Sequence, residues 1–441
     1  MPPQTRQVLA SAIEAKRKEA RRWFRERAAE APLPFYTSID LRDAGFKIAP
    51  VDSNLYPAGF NNLCAKDRRT AGKVFKARID KFYPGTRRIA VIPEGNTRNA
   101  AYAENLHRLI EIFRSGGYEV EPGWWQSSGQ TLPLPTHQNP LVLQTVSGAE
   151  VRMAGVTISG GKLRMGDFEP DLVVLNRDFS EGHPRELDGL SQPVLPPHQL
   201  GWHSRRKSRH FEHYNELASS FAQVLGVDPW FLTVDTQTVE PVNFNEAEGL
   251  DRVAEAVSGI LSRTADAYKR NGIDRAPFAF LKNNAGTYGM GIHVVKSAEE
   301  VLALNRREKN KMSVGKSRTD IRSVVVQEGI PTSILVDDRP GEPVIYLAGC
   351  ETIGGFLRSN TERGAEENLN SQGMVFKTLC MSDLQSLSDP DSTRDADEKE
   401  PELELVYGTV ARLSALALGR EQAEVPGLNL PKGDVCCGCD D

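Results

Sequence analysis

Cysteine is scarce in this chain, six residues in 441, and three of the six crowd the end as Cys436-Cys437-Gly438-Cys439. That usage excludes the evenly spaced framework of a secreted disulfide scaffold. No histidine or second cysteine pair accompanies the tail at ligand spacing, so a reduced, frayed end is expected rather than a metal knuckle. Charge of one sign is also lacking: 54 basic against 59 acidic residues leave a net charge of −5, which gives no global attraction to nucleic acid or to an anionic membrane. No apolar run approaches the ~18 residues of a membrane span, and the N-terminal stretch lacks a signal-peptide h-region. The expectation is a soluble, cytoplasmic protein with room for about three domains of ~150 residues. Its oligomeric state is left open, a homo-oligomer included.

What is present centres on residues 277–295. Phe278-Ala279-Phe280-Leu281-Lys282 is a short apolar run ending in a lysine, and Ile292-His293-Val294-Val295 is a second, β-branched run. Between them lies a turn with glycines at 286, 289 and 291, so the pattern predicts strand, loop, strand. Gly286, Gly289 and Gly291, with Thr287 and Tyr288 between them, would let backbone N–H groups approach an anion, and Lys282 adds a full positive charge. Phosphate is the natural guest. A P-loop puts its lysine after the last glycine and before a helix, a dinucleotide fingerprint opens a helix with G-x-G-x-x-G, and a kinase needs His-Arg-Asp and Asp-Phe-Gly downstream. None of these patterns is met. A glycine-rich surface hairpin without a ligand stays open at this point.

Taken in order, residues 5–30 form an amphipathic basic helix, expected to pack on the body of the protein. Val51 to Asn62 reads as a loop by its Pro and Gly. Its aspartate and asparagines, Asn54 and Asn61 among them, would read a polar small molecule, although Asx turns account for some of them. Ile89 to Pro93 is a buried strand, Asn96 or Thr97 caps the following helix, and a strand near Tyr118 completes a strand-helix-strand unit of an open α/β sheet. Arg98 follows that first strand. Arg177 follows a second strand, Asp171 to Leu175, so the two guanidinium groups suggest a carboxylate or phosphate subsite. The basic run Arg205-Arg206-Lys207-Ser208-Arg209-His210 precedes a helix for which Ser208 is the natural N-cap. Ser297 to Glu300 is a capping box. Val324 to Gln327-Glu328 is a buried strand, Val344 to Leu347 with Thr352 to Phe356 is a hairpin, and residues 388–402 read as a solvated insert.

A strand lysine followed by a small-residue hairpin loop, a strand ending Val-Val-Gln-Glu-Gly, an arginine and then Asn-Leu-x-x-x-Gly resembles the ATP-grasp fold over about residues 200–380. More narrowly, Val51 to Cys64, Lys282 to Ile292 and Phe356 to Met374 resemble the proteobacterial glutamate-cysteine ligases of that fold. The resemblance implies an α/β enzyme with an α+β lid: an open α/β substrate domain (1–200), a central lid and nucleotide part (201–330), a C-terminal part completing the ATP cleft (331–425) and a Cys-containing tail (426–441). It implies ATP and Mg²⁺ as cofactors and small-molecule substrates, glutamate and cysteine, joined through an acyl phosphate. Carried over, Lys282 would bind the α/β-phosphates, Gly286 to Gly291 would cover the γ-phosphate, and Lys207 would match the lysine before the lid. Gln327 and Glu328 would form the adenine and ribose edge. Arg358 and Asn370 would face the transferring phosphoryl group. The family's late Glu-x-Asn for Mg²⁺ has no counterpart after Asn370, and Glu351, Glu362 and Asn368 stand in for it. Another ATP-grasp amino-acid ligase, such as a glutathione synthetase, would share every nucleotide motif, and a non-catalytic nucleotide-binding scaffold is the alternative from a different class.

Overall fold

The N-terminal basic segment folds as two helices rather than one, α1 (Thr5–Ala15) and α2 (Arg17–Glu30), which break at Lys16 (φ −113°, ψ 25°). Its apolar stripe packs on the body: Trp23 and Phe24 lie against Phe221, and Trp23 Nε1 donates to Ser220 Oγ at 3.2 Å. The computed structural model describes residues 5–95, 99–126, 133–244, 246–285, 292–305, 308–309, 322–381 and 401–432. Arg98, the loop from Gly286 to Gly291, residues 388–400 of the insert and residues 433–441 of the tail lie outside them.

Strands β1 (Thr37–Asp43) and β2 (Ile48–Asn54) come next, then α3 (Ala65–Phe82), β3 (Arg88–Pro93), α4 (Ala100–Ser115) and β4 (Glu119–Trp124). Short strands follow: β5 (Leu141–Gln144), β6 (Glu150–Gly155), β7 (Thr157–Ser159), β8 (Lys162–Arg164), β9 (Leu172–Asn176) and β10 (Val194–Leu195). The middle of the chain holds α5 (Lys207–Leu225), β11 (Thr236–Val239), α6 (Ala247–Arg270), β12 (Ala279–Asn283), β13 (His293–Val295), α7 (Ala298–Leu302) and β14 (Val324–Glu328). The last elements are β15 (Leu335–Val336), β16 (Arg339–Ala348), β17 (Glu351–Asn360), β18 (Met374–Leu379) and α8 (Pro401–Ala423).

Three larger sheets organise these elements. One runs β10-β9-β3-β4-β6-β5, parallel at β10/β9, β9/β3, β3/β4 and β4/β6, which is the strand-helix-strand sheet expected from the apolar runs flanking α4. A second, β11-β14-β12-β13, is antiparallel and buries its own core against α6 and α7, with Val253, Val257, Ile260, Leu281, Val301 and Val326 inside. The third is the antiparallel path β18-β17-β16-β1-β2, with β15 on β16. It therefore joins strands from both ends of the chain.

Alternation in that third sheet sends its side chains to two faces, the second of which also carries Val344, Tyr346 and Phe356 of another apolar cluster. Ile39, Leu41, Ile345 and Leu347 are fully buried in the core that also contains Val406, Val410, Leu413 and Leu418 of α8. Asp40, Arg42, Glu342 and Arg358 occupy alternate positions and take the other face. Near Asp40/Leu41 the β1/β2 register shifts, so that Asp40 opposes Asp52 while Leu41 opposes Pro50. Proline lacks an N–H for the ladder, and a bulge is where a strand tolerates that loss.

Three local expectations are corrected. Residues 51–54 belong to β2 rather than to a loop; the Pro57 and Gly59 that signal the loop come only after the strand has ended. Helix α4 starts at Ala100, and its cap is Asn99, whose side chain accepts from Tyr102 N. Helix α5 starts at Lys207 without a local side-chain cap. A distant residue serves it instead: Asn284 O accepts from Lys207 N at 2.8 Å and Asn284 Oδ1 accepts from Ser208 N at 2.9 Å. Ser208 receives the cap rather than providing it.

Candidate active site

The Asn284 cap pins the exit of β12 to the start of α5, and this brings Lys282 and Lys207 to the same place. Both are 5 % exposed. Lys282 Nζ donates to the Val51 carbonyl at 2.7 Å and to Gln327 Oε1 at 2.6 Å, while Lys207 Nζ meets Asp52 Oδ1 at 2.5 Å. Lys207 also stands 4.5 Å from the Trp202 ring centroid, and Arg205 4.8 Å. Burial pulls the Lys282 ammonium down to about 7, against the pull of Asp52 and with help from Lys207 and Arg42. The Asp52 carboxyl is pushed up by burial, but Lys207 and Lys282 outweigh this and hold it below its ordinary value.

Beside these lysines runs a chain of alternating charge. Arg358 Nη1 donates to Asp40 Oδ2 at 2.6 Å and to Glu342 Oε1 at 2.8 Å, and Arg42 Nε donates to Glu342 Oε2 at 2.7 Å. Arg42 also donates to the carbonyls of Ala365 and Glu367, which carries the network to the segment holding Asn368 and Asn370. Glu342 and Arg358 are register partners across β16/β17, as Asp40 and Asp52 are across β1/β2. Burial raises the Asp40 carboxyl, Arg358 opposes this, and Glu342 and Asp52 add to it. Two carboxylates directly opposite each other are destabilising unless cations stand among them.

The network opens into a cavity of about 310 Å³ whose lining includes Asp40, Asp52, Asn54, Asn61, Tyr102, Asp178, Trp202, Arg358 and Asn370. A smaller recess of about 30 Å³ shares Asp40, Asp52 and Asn370 with it and adds Arg42, Lys282, Glu342 and Asn368. The asparagine segment is held from behind: Asn105 Oδ1 accepts from Gly59 N and Phe60 N, Asn176 Nδ2 donates to the Pro57 carbonyl, and Asn54 Oδ1 accepts from Tyr56 N in an Asx turn. Gly59 is at φ +104°, and a Cβ there would lie 2.8 Å from the Tyr346 hydroxyl, so only glycine fits.

Of the residues singled out from sequence, Arg358, Asn370, Asn54 and Asn61 line the larger cavity, and Lys282 and Asn368 line the recess. Lys207 adjoins both through Asp52. Gln327 lies beneath Lys282, whereas Glu328 is buried elsewhere, with Lys47 Nζ at 2.7 Å from one of its oxygens. Arg177 pairs with Glu181, four residues on, and its neighbour Asp178 lines the cavity instead. Glu351 begins β17 and is seven residues from Arg358, roughly 23 Å along an extended strand. Glu362 is exposed just past its end. Arg98 and Gly286, Thr287, Tyr288, Gly289 and Gly291 lie outside the described residues. Asp40, Arg42 and Glu342 were not singled out. For the first two a signal was present, since Asp40 and Arg42 alternate with Ile39 and Leu41; Glu342 had none.

Of the basic run, Arg205 pairs with Glu421 of α8 at 2.8 Å and also donates to Ser53, His210 Nδ1 lies 2.7 Å from the same carboxylate, and Arg209 pairs with Glu424 and Glu212. Part of what that run needed was internal acid.

A mixed α/β fold with buried lysines, arginines and carboxylates beside a polar cavity belongs to the class of proteins equipped to neutralise phosphate and carboxylate charge. The comparisons make this particular. Residues 10–422 match the family model GshA, glutamate-cysteine ligase, and the chain belongs to that family. A candidate gamma-glutamylcysteine synthetase from Methylobacillus flagellatus KT superposes with a TM-score of 0.84 at 36% identity, over 96% of this chain and 98% of that one. A glutathione synthetase-like effector from Globodera pallida aligns at a TM-score of 0.37 and 10% identity over 85% and 84% of the two chains, too little to argue from. Among curated proteins no sequence matches. The protein is an ATP-dependent ligase that joins glutamate to cysteine, the first step of glutathione synthesis, and like its family it uses ATP and a divalent metal. No helix among the described residues is long and apolar enough to cross a membrane.

Proposed function

We propose that the ligase is of ATP-grasp type, with β11-β14-β12-β13 and its helices as the lid. Residues 1–200 and 331–425 supply the remaining substrate and cleft parts around 201–330. The separate core of the four-stranded sheet supports the lid reading, since a part that closes over a ligand must hold together by itself. The observation that carries the site is the meeting of Asp40, Asp52, Glu342, Arg358 and Lys282 along the cavity and its adjoining recess, with Lys207 paired to Asp52.

The metal in this reading is Mg²⁺. Its ligands come from Asp40, Asp52 and Glu342 rather than from Glu351 and Glu362, which do not line the cavity. Carboxylate oxygens are the hard donors Mg²⁺ prefers, and each of the three has lone pairs beyond those used by its cationic partners. The bound ion supplies charge neutralisation at the phosphates. Lys282 and Lys207 hold phosphate oxygens, and Gln327, whose buried Nε2 has no partner among the described residues, offers a donor beside Lys282. Arg358 faces the transferring group; its buried Nε likewise finds no partner among the described residues. Asn54, Asn61 and Asn370 orient the amino-acid substrates through directional hydrogen bonds. The γ-carboxylate of glutamate takes the phosphoryl group, the cysteine amine attacks the acyl carbon, and phosphate leaves. Trapping with hydroxylamine tests this: ATP and glutamate without cysteine should give the γ-glutamyl hydroxamate, and its absence alongside normal dipeptide formation would remove the acyl phosphate.

A further inference from the structure

Three histidines and an aspartate from the segment between β9 and α5 meet outside the charged network. His183 Nε2 lies 2.9 Å from Asp188 Oδ2 and His198 Nε2 lies 2.8 Å from Asp188 Oδ1. One ligand-capable atom from each of the three falls within 4.8 Å of the others. Behind them, His183 Nδ1 is 3.4 Å from His203 Nε2, and His203 Nδ1 is 3.2 Å from the Phe179 carbonyl oxygen.

That relay orients the rings. A carbonyl only accepts, so His203 carries its proton on Nδ1, and its neutral ring presents a bare Nε2 to His183. His183 then donates from Nδ1. With Nδ1 committed to His203, Nε2 is the His183 nitrogen that faces the Asp188 carboxylate, and a proton or a metal ion on it satisfies the 2.9 Å contact. The same arrangement, a ligating imidazole whose second nitrogen donates to an outer acceptor, is how proteins orient histidine toward a metal.

We propose that His183 Nε2, His198 Nε2 and the Asp188 carboxylate bind one divalent transition-metal ion of the Zn²⁺ type, with His203 orienting His183 from behind. Two imidazoles and one carboxylate form the three-ligand set that Zn²⁺ takes with a position to spare, and imidazole selects against Mg²⁺. His198 is 5 % exposed while His183 and Asp188 face solvent, so the ion has both an anchor and an entry path. The position is suited to bracing rather than to chemistry on the substrate. The Tyr56 hydroxyl donates to the Pro197 carbonyl beside His198, and Asp178 and Trp202, at either end of the same segment, line the 310 Å³ cavity. A bound ion would hold that wall in place.

The test uses the full chain without an affinity tag and with Cys436, Cys437 and Cys439 changed to Ser, so that tail thiols do not compete. After metal removal, Co²⁺ is added in the presence of excess Mg²⁺. One Co²⁺ per chain should bind with a visible spectrum of nitrogen and oxygen coordination, be displaced by Zn²⁺, and ignore further Mg²⁺. Zn²⁺ should also raise the melting temperature, since a ligand that binds only the folded state stabilises it. Asp188→Asn and His183→Ala change solvent-facing side chains. Each should abolish both signals while keeping the circular dichroism of the parent, and His203→Ala should weaken Co²⁺ binding by about 10–100-fold. No Co²⁺ uptake under excess Mg²⁺, or equal uptake in folded Asp188→Asn and His183→Ala, would overturn the proposal.

Discussion

The two faces of the β18-β17-β16-β1-β2 sheet are built from alternate residues of the same strands, and they answer to opposite rules. From β1, Ile39 and Leu41 enter a dry core beneath α8, whereas Asp40 and Arg42 join a buried network with Glu342 and Arg358. The dry face gains stability from area removed from water. The charged face must offset desolvation of every ion and holds two carboxylates opposite each other, an arrangement that well-packed apolar residues would match or better for stability alone. On the reading proposed above, ligand binding at the polar face accounts for charges that stability alone does not call for.

The sharpest way to break that comparison is to remove the charge shared by both acids. Arg358→Ala would leave Asp40 and Glu342 buried without their common partner, and losing one member of a buried pair costs about 3–5 kcal/mol. Denaturant unfolding should show a loss of that order together with turnover close to zero; an unchanged midpoint would mean that solvent, not Arg358, balances the acids. The matching change on the dry face, Leu41→Ala, should lose about 2–5 kcal/mol through a cavity. Its folded fraction should nevertheless keep near-normal kcat. Stability therefore falls in both variants, and only activity separates them.

Asp40→Asn separates the faces the other way. The amide keeps the shape and relieves repulsion with Asp52 and Glu342, while weakening the bond from Arg358. The midpoint should move by only about 1 kcal/mol, the scale of one hydrogen bond. Turnover should fall by about 10²-fold or more, as expected when a group stabilising developing charge is lost. Steady-state kinetics and melting on one preparation decide it. A variant that melts early yet turns over normally would make Asp40 a structural residue.

Much of this was legible in the sequence because the signals were local. The apolar runs of β3, β12 and β14, the buried stripe of α5 and the hairpin of β16 with β17 stand where period and turn residues place them. Lys282 was named from the glycine hairpin, Asn54 and Asn61 from the polar segment after residue 50, and Arg358 and Asn370 from the resemblance to the ligase family. What stayed hidden was long-range. Asp40 and Glu342 lie some 300 positions apart in sequence, and no local pattern announces that β1 and β16 pair. Asn284 capping α5 from the end of β12 is invisible for the same reason. Pro57 and Gly59 misled only about where the loop begins, since β2 runs on to Asn54 before them. The arginine after β9 looked like a ligand, but an acid four residues on takes it up.

The smallest expected effect concerns a single proton. Lys282 is buried, donating to Val51 and Gln327 with Asp52, Lys207, Arg42 and Glu342 around it. Its ammonium is pulled from an ordinary value near 10.5 to about 7. For a base with a lowered folded value, the unfolded chain holds more protons across the window between those two values. Stability linked to Lys282 therefore rises with pH from about 7 toward 10.5, and the buried charge weighs fully against the fold below 7. Phosphate reverses the bias, because an anion beside the ammonium favours its charged form. ATP binding at pH 8 should accordingly take up nearly one proton, and binding at pH 6, where Lys282 is already charged, should take up much less. Calorimetry in buffers of different ionisation enthalpy reads this directly, with Lys282→Met as the control that should lose the uptake. Equal proton counts at the two pH values would show that nucleotide phosphates do not reach this lysine.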